Sequence, residues 1–174
     1  MTELIKLTAS LEDYIETIYH IIEEKQVARG KDIASRLGVS RASVTEALRS
    51  LSKKGLINYA PYEVITITES GRAIAEDVIH RHNTLKRFFI KVLALDEKIS
   101  ESGACKIEHT ASPEIISRMI SFIDFLEECP RGGDDLLKGF ADFCKRGGKA
   151  TDCKECIAKC MAPKTTSGAS AASA

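Results

Sequence analysis

The stretch KDIASRLGVSRASVTEALRSLSKKG, residues 31–55, decides the fold. Lys31 to Leu37 reads as a short helix that buries Ile33, Ala34 and Leu37. Gly38 and Val39 make a tight turn, after which the Ser40 hydroxyl is placed to cap a second helix. That helix reaches Lys54 with Val44, Leu48 and Leu51 as its buried stripe. Gly55 ends it, where a left-handed backbone costs a glycine little. Helices joined this tightly form a helix-turn-helix.

Upstream, Leu11, Tyr14, Ile15, Ile18, Tyr19 and Ile22 recur at helical spacing behind Ser10 as the expected cap. Asp13 and Glu16 sit three apart on the polar flank of this helix. Downstream, Leu56 to Tyr59 and Val64 to Thr68 read as a β-hairpin joined through Ala60-Pro61-Tyr62-Glu63. Three helices and a hairpin outline a winged helix-turn-helix over residues 1–72. The rest is helical, with helices expected at Ser70 to Leu93, Cys105 to His109 and Pro113 to Glu128, so the fold class is mainly α. The last of these is apolar around most of its circumference, from Ile115 to Leu126, which marks it as a central core helix or a subunit interface. Residues 73–135 form this second domain, 136–163 a cysteine-rich segment and 164–174 a small-residue tail expected to be disordered.

The chain has 174 residues, 44% hydrophobic and 29% charged, which excludes wholesale disorder. Lys plus Arg and Asp plus Glu are 25 each, so the net charge of zero argues against a broadly basic coat protein. The distribution says more. Arg29, Lys31, Arg36, Arg41, Arg49, Lys53 and Lys54 face only Asp32 and Glu46 across the helix-turn-helix. Arg41, Ser43, Thr45 and Arg49 point away from the buried stripe, and with Arg29 they are the candidate contacts to double-stranded DNA. Lysines at the helix end suit phosphates. No apolar run approaches the ~20 residues of a membrane span, and Met1 to Ser10 lacks signal-peptide character. The expected setting is cytoplasmic, without a membrane partner, where six cysteines are reduced thiols or metal ligands. No nucleophile-elbow, phosphate-loop or H-E-x-x-H motif is present, so no enzyme is expected.

Cys105-Lys106-Ile107-Glu108-His109 places a thiol, a carboxylate and an imidazole on one helical turn, three good donors for a divalent transition metal. Each candidate also has a purely structural reading. Asp13 would serve as a capping-box carboxylate behind Ser10, His82 as an ordinary surface histidine and Cys105 as a small buried hydrophobe. His20 and His80 read as structural or solvent-facing.

Leu11-Glu12-Asp13-Tyr14-Ile15-Glu16-Thr17-Ile18-Tyr19, the helix-turn-helix, His80-Arg81-His82 and the Cys105 to His109 run together resemble the DtxR/MntR metalloregulators, iron- or manganese-dependent transcriptional repressors. The resemblance runs from about Thr8 to Gly133. It implies a homodimer, a winged-helix domain, and a helical metal-binding and dimerisation domain without the SH3-like domain of longer members. It also implies Asp13, Glu16, His82, Cys105, Glu108 and His109 as metal ligands. Asp13 matches the manganese branch and Cys105 the iron branch, while Lys86 stands where the iron branch places a glutamate of its ancillary site. A thiolate turns preference from Mn²⁺ towards Fe²⁺, so Fe²⁺ is favoured over Mn²⁺ as the cofactor. The implied mechanism is a cation that ties the two domains together and sets the spacing of the dimer's recognition helices for operator half-sites ~34 Å apart.

Cys144, Cys153, Cys156 and Cys160 follow a C-x8-C-x2-C-x3-C spacing that the resemblance does not cover. Thiolates at such spacing suit Zn²⁺ or an iron–sulfur cluster. The alternative function is therefore a redox- or cluster-sensing DNA-binding regulator that uses these cysteines.

Overall fold

The computed structural model describes residues 7–60, 63–128 and 133–147. The chain divides into a unit of residues 1–123 and a unit of residues 124–174.

Helix α1 (Ala9–Lys25) starts at Thr8, whose hydroxyl accepts the Leu11 N–H at 3.4 Å. The expected cap, Ser10, already lies inside the helix, and Asp13 falls beyond the first turn. Asp13 is therefore free of the capping role. α2 (Gly30–Leu37) ends at Gly38, with φ of 66°. The Ser40 hydroxyl accepts the Ser43 N–H at 3.1 Å and opens α3 (Arg41–Lys53), whose buried face is Val44, Ala47, Leu48 and Leu51. Gly55 follows at φ 71°.

The wing is shorter than the sequence suggests. β1 (Ile57–Asn58) pairs antiparallel with β2 (Thr66–Ile67), with Ile57 opposite Ile67. Ala28 and Ile65 form an antiparallel bridge that ties the segment before α2 to the wing. Ile15, Ile18, Ile33, Leu48, Leu51, Leu56 and Ile65 are buried together beneath these elements. Each such side chain contributes about 1.5–3 kcal/mol through burial.

α4 (Glu69–Lys91) is capped by Thr68, which accepts the Gly71 N–H at 3.1 Å and donates to the Gly55 carbonyl at 2.8 Å. A Cβ at Gly71 would stand 2.0 Å from the Leu56 carbonyl oxygen, so only glycine lets α4 and the wing approach this closely. α5 (Glu97–Ile107) is capped by Asp96 and begins eight residues before the expected start at Cys105. Its helix stops at Ile107, so Glu108 is its C-cap and His109 lies beyond it. Glu108 keeps right-handed helical dihedrals, and its N–H still reaches the Ala104 carbonyl, which preserves most of the expected one-turn geometry.

Leu85, Phe89, Ala104 and Ile116 form a second core where α4, α5 and α6 (Pro113–Glu128) meet. Within the second unit, Leu126 is buried and Phe125 is 61% exposed. α7 (Gly133–Lys145) occupies the edge of a region read as cysteine-rich; Leu136, Phe140 and Phe143 recur there at helical spacing.

Candidate metal centre and nucleic-acid interface

The outward side of α3 carries Arg41, Ser43 and Arg49 in exposed positions, with Thr45 half-buried. The Ser43 hydroxyl lies 2.9 Å from that of Ser40, and Thr45 donates its hydroxyl to the Arg41 carbonyl at 2.9 Å. Arg29 and Lys31 join Arg41, Thr45, Tyr59 and Glu63 around a cleft of about 600 Å³ between α3 and the wing. This is a cationic groove beside a helix that presents short hydroxyls, as phosphate contact and base reading require. Arg36 is committed elsewhere, to Glu24 on α1 at 2.7 Å.

Asp13 of α1, with Glu108 and His109 at the end of α5, forms one trio whose donor atoms lie within 4.8 Å of one another. His82 of α4, with Cys105 and Glu108 of α5, forms another under the same limit. Glu108, only 1% exposed, belongs to both. Its Oε2 lies 2.6 Å from His82 Nδ1 and its Oε1 lies 3.4 Å from His109 Nε2. His109 Nε2 is also 2.9 Å from Asp13 Oδ1, and Cys105 Sγ is 3.8 Å from His82 Nδ1. Five of the six expected ligands thus converge. Glu16 is in neither trio, and its Oε1 lies 3.7 Å from His20 Nε2.

Two family models match the chain: the iron dependent repressor N-terminal DNA binding domain over residues 6–65, and the iron dependent repressor metal binding and dimerisation domain over residues 68–137. The chain belongs to the iron-dependent repressor family. It is 36% identical over 129 residues to the HTH-type transcriptional regulator MntR of Bacillus subtilis, covering 74% of this chain and 90% of that one. It is 37% identical over 119 residues to an uncharacterised HTH-type transcriptional regulator of Methanocaldococcus jannaschii, covering 68% of this chain and 95% of the relative. Among solved structures, a manganese-dependent transcriptional repressor in complex with manganese superposes with a TM-score of 0.61 at 28% identity. That match covers 66% of this chain but only 53% of the solved one. Members of the family are metal-dependent DNA-binding transcriptional repressors, and this chain is one of them. Among the described residues no helix is long and apolar enough to cross a membrane.

The donors of this repressor suit a divalent ion on chemical grounds. Burial raises the Asp13 carboxyl above its ordinary range, an effect that His109 partly offsets. Burial likewise raises Glu16, with Glu108 adding to it. The Cys105 thiol is pushed up by burial and by the carboxylates of Glu108, Glu101, Glu16 and Asp13. His82 is raised chiefly by its hydrogen bond to Glu108. Burial pulls His109 down, but Glu12, Asp13 and Glu108 outweigh it and the net shift is upward. The buried Glu108 carboxylate, with Asp13 and Glu16 near it and a thiol on the same turn, concentrates negative charge that a cation bound by N, O and S donors relieves.

Sequence reasoning missed the residues behind the ligands. Glu12 accepts from His109 Nδ1 at 2.7 Å, and Arg81 donates to Glu12 at 3.1 Å and to the Glu108 main-chain oxygen at 2.6 Å. Glu101 lies 3.2 Å from His82 Nε2 and 2.8 Å from Lys86 Nζ. The sequence held one signal, the juxtaposition Glu12-Asp13 and Arg81-His82, in which a charged residue precedes each candidate ligand. Lys86 is paired with Glu101 at 2.8 Å and with Glu97 at 3.1 Å. Of the cysteine-rich group only Cys144 is described, exposed on α7; Cys153, Cys156 and Cys160 lie outside the described residues, as does the tail from 164. The family matches end at residue 137, before this group begins.

Proposed function

We propose that this repressor is switched by a divalent cation held by Asp13, His82, Cys105, Glu108 and His109, with Glu16 adjacent, and that the loaded homodimer binds its operator more tightly. One observation carries the reading: Asp13 of α1 meets Glu108 and His109, just past the end of α5, within 4.8 Å, joining the DNA-reading unit to the helical half. The ion supplies positive charge shared by carboxylates of both halves. Asp13 then anchors α1, which packs directly on α2 and α3 and so fixes the recognition helix relative to α4 and α5. Arg29, Arg41, Ser43, Thr45 and Arg49 meet the DNA. By linkage, an ion that tightens DNA binding is itself held more tightly on DNA, typically by ~1–3 kcal/mol.

Cys105 in an otherwise oxygen- and nitrogen-rich set favours Fe²⁺ over Mn²⁺. The homodimer is supported by the exposed apolar residues Ile115 and Phe122 of α6, which flank Phe88 of α4. Such a patch on a small domain marks an interaction surface. Fluorescence anisotropy on upstream DNA tests the reading. Affinity should rise on adding Fe²⁺ or Mn²⁺ and fall with chelator; an operator affinity indifferent to both sinks it.

A further inference from the structure

His109 is gripped by two consecutive residues of α1. Glu12 Oε2 lies 2.7 Å from its Nδ1, and Asp13 Oδ1 lies 2.9 Å from its Nε2. Neighbours on a helix point about 100° apart, so Glu12 and Asp13 reach opposite edges of one imidazole. The two carboxylates are not equivalent. Asp13 is half exposed and shares its ring nitrogen with Glu108 Oε1, whereas the Glu12 side chain is 15% exposed and has its other oxygen occupied by Arg81 Nη2 at 3.1 Å. Arg81, itself 13% exposed, also donates Nη1 to the Glu108 carbonyl at 2.6 Å, and its Nε lies 3.1 Å from Asp77 Oδ2.

We propose that Glu12 and Arg81 are positioning residues of the metal centre: Glu12 aims the His109 ring, and Arg81 clamps Glu12 and the Glu108 main chain to α4. This rests on the metal-centre reading above. A neutral imidazole carries one proton; with Nδ1–H donated to Glu12, the lone pair sits on Nε2, the nitrogen facing Asp13 and Glu108. A carboxylate behind a ligating histidine also raises the basicity of the ring. Glu12 stands in neither donor trio, and its two oxygens are engaged by His109 and Arg81. Arg81 is needed because a largely buried carboxylate without a partner is costly, and only a planar guanidinium serves an acceptor on α1 and one at the end of α5 together. The centre therefore reports to α1 by two routes, directly through Asp13 and indirectly through His109 and Glu12.

The test uses the full chain loaded with Zn²⁺, a diamagnetic probe. Zn²⁺ stoichiometry and affinity are measured by chelator competition for wild type, Glu12→Ala, Glu12→Gln and Arg81→Lys, with Glu108→Ala as a ligand control. Long-range ¹H–¹⁵N spectra give the His109 tautomer. Wild type should show His109 protonated at Nδ1 and bound through Nε2. Glu12→Ala should bind the same number of ions about 10–100-fold more weakly, as loss of an outer-shell partner does. Glu12→Gln, which keeps an acceptor for Nδ1–H but loses the charge for Arg81, should fall between. Arg81→Lys should weaken binding at unchanged stoichiometry. An ion lost with Glu12→Ala makes Glu12 a ligand and overturns the proposal; so does unchanged affinity, or His109 bound through Nδ1. If Glu108→Ala binds Zn²⁺ as wild type does, the metal-centre reading itself fails, a result seen in the control before any Glu12 variant is compared.

Discussion

Asp13, Glu108 and His109 draw on α1 and the end of α5, whereas His82, Cys105 and Glu108 draw on α4 and α5 alone. The first trio bridges the DNA-reading unit and the helical half. The second is internal to the helical half and, of the two, is the one with a thiol, Cys105. Behind the first stands a largely buried pair, Glu12 with Arg81; behind the second stands Glu101, half exposed, with Lys86. On the proposed switch, position and chemistry divide the work: a donor that spans two elements would transmit ion binding to the DNA face, while a soft donor confined to one side would select which ion binds.

The largest effect belongs to the residue the two trios share. Glu108→Ala removes a carboxylate that faces both histidines, so affinity for Fe²⁺ and Mn²⁺ should fall by more than the roughly 10–100-fold that an outer-shell partner is worth. Operator affinity should then ignore metal. Competition titration and anisotropy check both, with a melting curve of the metal-free protein to confirm folding. A protein that keeps one full-affinity ion after this change would show that the trios do not meet at Glu108.

Separating the trios is the next test. Asp13→Ala leaves His82, Cys105 and Glu108 in place, so an ion should still bind while the metal-induced gain in operator affinity, expected at about 5–150-fold, collapses. Cys105→Ala should do the reverse, weakening the ion but keeping the gain once it is saturated. Paired isotherms of metal and DNA decide it. Equal loss of coupling in both variants would erase the distinction between a transmitting trio and a selecting one.

The DNA-reading unit was legible in the sequence because its determinants are local. Ser40, Gly38, Gly55 and the Val44–Leu48–Leu51 stripe each act within a turn or two of chain, and each stands where the sequence reading puts it. The start of α5 was not legible: Ser100, Glu101, Ser102 and Gly103 blunt the apolar period, although Asp96 accepts the Ile99 N–H as a regular cap. The candidate ligands came from the motif resemblance. Their supports did not, because Glu12–His109 and Arg81–Glu108 join residues 97 and 27 positions apart, and no spacing rule operates over such distances. Glu16, which the resemblance also names, stands outside both trios, with its carboxylate 3.7 Å from His20 and within electrostatic reach of Glu108, His82 and Asp13.

A smaller effect sharpens the chemical half of the comparison. Replacing the thiol by a hard donor in Cys105→Glu should shift preference several-fold towards Mn²⁺ relative to Fe²⁺ or Co²⁺, without abolishing the DNA response. The measurement is the ratio of two metal affinities in one protein, so a general loss of stability cancels. An unchanged ratio would mean that Cys105 does not touch the ion.

The smallest effect is in the metal-free protein and turns on protons in place of the ion. His82 faces Glu108, Glu101 and Cys105 from α5; His109 faces Glu12 and Asp13 from α1 and Glu108 beside it. Both histidines are raised above their ordinary value of 6.5, and Asp13 and Glu16 are raised above 3.8 and 4.5. For all four, the folded chain holds its proton more firmly than the unfolded chain does. The histidine contribution is complete below 6.5 and is lost as pH climbs through the higher folded values; the carboxyl contribution fades the same way from lower pH. Metal-free protein should therefore melt at progressively lower temperature between about pH 5 and pH 8. Metal affinity should rise over the same range, because binding releases these protons. His109→Gln should flatten the melting profile more than His82→Gln, since two α1 carboxylates touch the His109 ring at 2.7 and 2.9 Å, whereas α1 acts on His82 only through the more distant charge of Glu16. Profiles altered equally by the two changes would place the electrostatic link to α1 in neither ring, and would leave Asp13 alone to carry the signal.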